Sequence, residues 1–244
     1  MQLGGLPIET DVSVGSWIAG AVAREDRGTV GSLVPPVFPA YARVLHPAYR
    51  YDGDEDVEIT WSSVAAVNGT VAHPLMQWPA VTGGWEYLTE DSQPPTWDGA
   101  PAEGHLPTTV AGRMARVLAR HTAVPGSCLF GRWAGSGFDA DAVRGLPTLP
   151  LPGARDVVLV RGRVTDAARN LAPEPSEQSA NLWWPSDRTW LVATDIDLVS
   201  TYVGGTAACI AELLATPALE VVRAAPADPV GLGDDPVNPV PPRG

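Results

Sequence analysis

The chain contains no lysine. All 16 of its basic residues are arginine, set against 28 acids, and the formal net charge is −12. A Schiff-base lysine and the lysine of a phosphate-binding loop are therefore excluded. A genome rich in G and C accounts for the bias together with the abundance of Arg, Ala, Gly and Pro; selection against lysine-directed tagging is the alternative reading. A negative balance of this size argues against a nucleic-acid surface and favours a basic protein partner. Cysteine is almost as scarce. Cys128 and Cys209 stand far apart in apolar surroundings, without zinc spacing, and read as reduced core thiols. The start of the chain carries acids and no basic n-region, and no apolar run reaches the roughly 20 residues of a membrane span. The expectation is a soluble cytoplasmic protein, in which the Asn68-Gly69-Thr70 sequon has no consequence.

What is present concentrates between Ser179 and Val222. Trp190 to Leu198 alternates as a strand, with Trp190, Val192, Thr194, Ile196 and Leu198 on one face and Leu191, Ala193, Asp195 and Asp197 on the other. A short strand at Thr201–Val203 follows. Thr206 then caps a helix with Ala207, Ile210, Ala211 and Leu214 on its apolar stripe, and Pro217 closes it. Leu219 to Val222 reads as a last strand. Earlier, Leu106 to His121 is the strongest helix: Thr108 or Thr109 caps it, Val110, Met114, Val117 and Leu118 form the stripe, and Arg113, Arg116 and Arg120 face solvent. Ser127–Ala134 and Asp156–Arg163 are strands, Thr29–Val34 is strand-like, and Ser62 starts a short helix ending at Asn68-Gly69. Val81 to Gly104, rich in Gly, Pro and Trp, reads as a long loop. Strands and helices do not alternate regularly, so the expected class is α+β. It is a single domain over 1–225, with a largely antiparallel sheet covered by helices on one face. Residues 226–244, rich in Pro, Asp and Gly, read as a disordered tail.

Several chemistries are tested by spacing and fail. Asp52, Asp54 and Asp56 occupy the first places of a calcium loop, but Val57 stands where Gly is needed and Ser63 where the bidentate Glu is needed. Gly135-Ser136-Gly137-Phe138-Asp139-Ala140 fits a dinucleotide pattern, yet Gly145, Pro147 and Pro150 leave no room for the helix it requires. His46, His73, His105 and His121 share no metal spacing. Cys128 with His121 is a conceivable nucleophile and base, set against Cys128 beginning a buried strand. No metal, nucleotide or covalent cofactor is expected.

Two groups remain as site candidates. Asp195 and Asp197 form a carboxylate pair suited to acid–base work, or merely a solvated strand face. Trp183, Trp184, Asp187 and Arg188 form a Trp-rich, Arg-bearing segment suited to a binding surface, or core indoles beside a local Asp–Arg pair. The favoured function is a non-enzymatic protein-binding module. The alternative is a small hydrolase using Asp195, Asp197 or a histidine in a Trp-lined cleft.

At N-L-W-W-P-S-D-R-T-W-L-V-A-T-D-I-D-L-V-S-T-Y-V-G-G, together with V-P-P-V-F-P-A-Y-A-R-V-L-H-P, the chain resembles a set of actinobacterial proteins of unassigned function. At P-P-V-F-P-A-Y and the closing strand–turn–helix it is also similar to the SUKH superfamily, although the Asn-Gly usual soon after that segment is missing. Members of that superfamily include immunity proteins that neutralise toxins. The second resemblance implies an immunity-like inhibitor of a basic toxin, and neither carries catalytic residues onto this chain.

Overall fold

In the computed structural model, residues 1–53, 55–89, 91–135 and 140–243 are described. The strands are β1 Gln2–Leu3, β2 Leu6–Pro7, β3 Ala40–Leu45, β4 Ala48–Asp52, β5 Glu55–Ile59, β6 Cys128–Trp133, β7 Thr148–Leu149, β8 Val157–Gly162, β9 Leu182–Pro185, β10 Leu191–Ala193, β11 Ser200–Gly205 and β12 Val221–Ala224. The helices are α1 Ser16–Val22, α2 Trp61–Asn68, α3 Trp78–Thr82, α4 Thr108–Leu118, α5 Ala140–Val143 and α6 Ala207–Leu214. Eight strands form one sheet in the order β12-β3-β11-β10-β9-β6-β8-β7, with every neighbouring pair antiparallel. The fold is α+β, as the irregular succession of elements implies. No helix among the described residues is long and apolar enough to cross a membrane.

Side chains alternate across the sheet, and both faces are buried. On one face Val44, Phe130, Val160, Trp183, Trp190, Val192 and Val203 pack under α4 and α6. The stripe of α4 foreseen from its spacing (Val110, Met114, Val117 and Leu118) is buried there in full. The opposite face is not bare. Tyr41, Leu129, Leu159, Trp184, Leu191 and Ala193 pack under Ile18 and Val22 of α1 and under Val30 and Val34. At the end of that face a third cluster gathers Trp61, Trp78 and Trp97, whose rings follow one another at 5.2 and 5.3 Å. The long loop expected from Val81 to Gly104 thus supplies a wholly buried indole, Trp97.

Double-sided burial explains where the reading of strands goes astray. Trp190–Leu198 is strand only over Leu191–Ala193; Asp195, Ile196 and Asp197 lie in the turn to β11. β10 has no acidic face, because Leu191 and Ala193 enter the second core. Thr29–Val34 is a short 3-10 turn at Val30–Ser32 rather than a strand. Helix caps divide similarly. Thr60 and Thr206 each accept a backbone N–H three residues on, and Gly69 ends α2 at φ 68°. Neither Thr108 nor Thr109 caps α4; the Thr108 N–H donates instead to the Glu177 carboxylate at 2.8 Å, an acid against the positive helix end.

Residues 226–243, expected to be disordered, lie against the domain. The N–H groups of Val30 and Gly31 donate to Asp228 and Pro226 at 3.0 and 2.8 Å, and Val230 and Asn238 are buried. Composition misled because the segment is held by hydrogen bonds to distant chain rather than by structure of its own.

One charged side chain ties the sheet to its cover. Arg43 of β3 is 2% exposed. Its Nε donates to Ser200 Oγ at 3.0 Å, Nη1 to the Met76 carbonyl at 2.8 Å and Nη2 to Gln77 Oε1 at 3.1 Å. Its Cζ lies 5.3 Å from the Trp61 ring centre and 6.0 Å from that of Tyr202. Arg43→Met strands these buried acceptors at about 1–3 kcal/mol each. Arg43→Lys does not restore the loss, because an ammonium lacks the planar fork. Urea denaturation reads both.

Trp190 anchors the α4/α6 core. It is wholly buried, meets Trp183 edge-on at 5.3 Å, and donates its indole N–H to the Leu118 carbonyl at 3.0 Å. Trp190→Ala lowers the unfolding free energy by about 3–5 kcal/mol, through lost transfer energy and the cavity left behind. The shift of the urea midpoint at unchanged slope measures it.

Candidate functional site

The four residues of the Trp-rich segment do not form one surface. Trp183 and Trp184 are adjacent in β9, so their side chains leave opposite faces of the sheet, and each is 1% exposed. Trp183 stacks on Phe130 and Trp184 meets Trp17 edge-on. Neither indole is available to a partner, which corrects the expectation of a Trp-lined binding face there. Asp187 and Arg188 are exposed in the following turn but are not paired. Asp187 accepts from Thr122 Oγ1 at 2.7 Å, from the Ala123 N–H at 2.9 Å and from Thr189 Oγ1 at 2.9 Å. Burial pushes its carboxyl up, but these hydrogen bonds outweigh that and hold it below the ordinary range. Arg188, at φ 57°, lies 5.4 Å from the Trp17 ring centre.

The histidines and thiols are engaged elsewhere. His46 is wholly buried. Its Nδ1 lies 2.6 Å from the Ala102 carbonyl and its Nε2 2.9 Å from Thr201 Oγ1, which is 2.6 Å from Thr194 Oγ1. A carbonyl can only accept, so Nδ1 carries the proton, Nε2 accepts from Thr201, and Thr194 donates to Thr201. Every position of this chain is used. Burial drives the His46 imidazole down to about 3. His73 contacts Asp235 and His121 contacts Glu212, at 2.9 and 2.6 Å. Cys128 faces the Trp184 carbonyl rather than His121, and burial raises its thiol well above normal. The Cys209 thiol is pushed up to about 12 by burial and the nearby Glu212 charge. Both stay protonated and poorly nucleophilic. No group of three or more His, Cys, Asp or Glu suited to a metal occurs among the described residues. Asp54 of the calcium-like run and residues 136–139 of the glycine pattern lie outside the described residues.

Asp195 and Asp197 do lie at a cavity. It measures about 340 Å³, within the range of small-molecule sites. Its floor is the sheet at Val157, Leu182 and Ala193. Ile18 and Val22 of α1 form one wall, residues 27–33 and Val230 another, and the loop at 151–155 a third. The lining is largely apolar; the buried Asn181 and Thr194 belong to it, and Arg155, Asp195 and Asp197 form its charged cluster. There Arg155 spans both acids: its Nε donates to Asp195 Oδ2 at 3.1 Å, and its Nη2 pairs with Asp197 Oδ2. The Asp197 N–H closes the turn onto Asp195 Oδ1 at 2.9 Å. These carboxylate bonds outweigh burial and hold the Arg155 guanidinium above its usual value. Gly153 and Ala154, both at positive φ, turn the chain to present Arg155. Asp197 and Leu198 also border a shallower outer cleft containing Trp85, Glu103, Leu232 and Arg243. Desolvation and the Asp197 charge raise the Glu103 carboxyl.

The acid pair was visible from its spacing. Arg155 was not, because its partner lies forty residues away across the sheet. The apolar walls read simply as core. No family model, curated protein or solved structure matches the chain.

Two outcomes are expected. The unfolded chain takes up a proton at His46 near the ordinary 6.5 and the folded chain only near 3, so stability falls as pH falls through that window. His46→Asn, which keeps a donor for the Ala102 carbonyl, flattens the slope of urea stability between pH 7 and pH 4. Asp195→Ala removes one partner of a partly exposed pair and costs about 1 kcal/mol or less, well below Trp190→Ala. Denaturation of both variants under one condition compares them.

Proposed function

We propose that the protein is a non-enzymatic binding protein whose ligand is a small, mainly apolar molecule held in the cavity between α1, residues 27–33 and the sheet. The observation that carries this reading is a concave site of small-molecule size whose lining is mainly apolar. Such a site gains affinity from apolar area removed from water and selects orientation at the mouth. The hydrolase reading draws less support. Arg155 engages both acids of the candidate pair, and the Thr194 hydroxyl near them is committed to Thr201.

The test is a titration of protein into a fixed low concentration of N-phenyl-1-naphthylamine, a neutral apolar dye that brightens when removed from water. At about 0.3 kcal/mol per heavy atom, a dissociation constant on the order of 100 µM is expected. Ala193→Leu, which adds three carbons to the cavity floor, weakens binding at least tenfold while urea stability is retained. A dye signal untouched by that substitution places the bound dye elsewhere and rejects this reading.

A basic protein partner, such as a toxin inhibited in the immunity-protein manner, is a second reading, favoured by a different feature. The β4–β5 hairpin exposes Asp52, Glu55 and Asp56, with Tyr51 59% exposed, on a chain of net charge −12. Binding there weakens steeply with salt. Reversing the three acids to Arg abolishes it and leaves the dye titration unchanged.

A further inference from the structure

Polar groups on the wall of an apolar site are either satisfied within the protein or left for solvent and ligand. Those lining the cavity divide in this way residue by residue. The Ser32 hydroxyl donates to the Thr29 carbonyl at 2.7 Å, and the Trp133 indole N–H donates to the Ala154 carbonyl at 3.0 Å. Asn181 is committed at both ends of its amide. Its Oδ1 accepts from the Trp133 backbone N–H at 2.9 Å and from Gln178 Nε2 at 3.2 Å. Its Nδ2 donates to the Gly104 and Thr194 carbonyls at 2.8 and 3.3 Å. The Thr194 hydroxyl belongs to the His46 chain. Asp195 and Asp197, the acids on the lining, share Arg155.

One charged side chain remains. Arg27 lies on the wall formed by residues 27–33, away from the 151–155 loop that carries Arg155. It is exposed, and its guanidinium makes no hydrogen bond, ion pair or ring contact among the described residues. Glu25 and Asp26 precede it closely in the chain, yet neither pairs with it. The N–H of Gly28, next to it on the lining, likewise donates to no described group. On a convex surface such a guanidinium is simply solvated. Here it borders a pocket lined by Ile18, Val22, Leu33 and Val230. A ligand whose body fills that pocket brings its polar end to the free N–H donors.

We propose that the ligand of the cavity is an apolar monocarboxylic acid, with its hydrocarbon body against Ile18, Val22, Leu182 and Ala193 and its carboxylate on Arg27. The inference rests on the small-molecule reading above. A guanidinium presents a planar fork that matches the two oxygens of a carboxylate. One free cation suits one negative charge, and among the described residues the lining offers no second one for a phosphate. An ammonium head finds less, because Arg155 already occupies both acids. The net charge of −12 opposes any anion at long range, so a preference for the acid arises at Arg27 itself.

The experiment displaces bound N-phenyl-1-naphthylamine with three compounds that share one ring system: 1-naphthaleneacetic acid, its neutral amide, and 2-(1-naphthyl)ethylamine. At pH 7 the first is an anion and the last a cation. The full chain is compared with Arg27→Gln and Ala193→Leu. Arg27 is exposed and unbonded, so Arg27→Gln retains its urea stability. The acid is expected to displace the dye at about one-fifth of the concentration the amide needs, a gain in keeping with a partly exposed ion pair. The amine does no better than the amide. In Arg27→Gln the preference for acid over amide falls below about twofold. Ala193→Leu weakens acid and amide alike. A preference for the amine, or a preference for the acid that survives Arg27→Gln, overturns the proposal. So does an acid indifferent to Ala193→Leu, which is then bound outside the cavity. A dye that binds but is displaced equally by all three compounds, or by none, removes only the carboxylate. If the dye binds no form of the protein, the cavity reading itself fails and the carboxylate falls with it.

Discussion

A guanidinium enclosed away from water must find substitutes for its hydration, and Arg43 finds them in backbone carbonyls, a side-chain amide, a hydroxyl and two aromatic faces. Among the described residues it forms no ion pair. Its charge is therefore balanced by dipoles that exist only when residues 74–77 are seated over β3. Seating them positions Trp78 against Trp61 and Trp97 and so completes the third core. It also places Gln77 and His73, the residues that receive Asp235. The cavity's outermost wall thus depends, through a sequence of contacts, on one buried cation in the second strand from the sheet edge.

The eight-stranded sheet has an unequal division of labour. Its α4/α6 face carries two amphipathic helices whose stripes fill it. The other face carries the short α1 and irregular chain over its middle, with α2 and α3 only at its end. Irregular chain has no repeating ridge to interlock with a sheet. The space left over on that side is the cavity, bounded by α1 where helical packing ends. The Arg155 bridge to the β10–β11 turn stands at this boundary, fixing two loops that have no shared secondary structure. Site and packing deficit are the same feature seen from two directions.

The elements that could be read from the sequence are those decided locally. The stripe of α4 is one, since Val110, Met114 and Val117 follow one face whatever lies opposite. The Thr206 cap and the Gly69 stop are others, because each is settled within four residues. The failures share a cause as well. Alternation from Trp190 to Leu198 suggested a half-solvated strand, but a second layer covers Leu191 and Ala193, and the strand ends before the acids. The indoles of Trp183 and Trp184 looked available because nothing in their own segment could reveal Trp17 or Phe130 above them. Arg155 and Asp195, and likewise Asp235 and His73, meet only through the fold. Composition described the segment after Pro226 correctly as lacking regular structure, but could not register the buried sockets for Asp235 and Asn238.

The missing lysines and the buried thiols together shape how the molecule exchanges protons with alkaline solution. Ammonium groups and thiols ordinarily supply most of the titration between neutrality and pH 11. Here lysine ammonium groups are absent and the thiols are held protonated by burial. Tyr49, whose phenol is pushed up to about 12, adds nothing in that range. The arginines keep their charge throughout. The molecule is consequently a poor proton buffer on the alkaline side, and its electrophoretic mobility changes little from neutral solution to moderately basic solution.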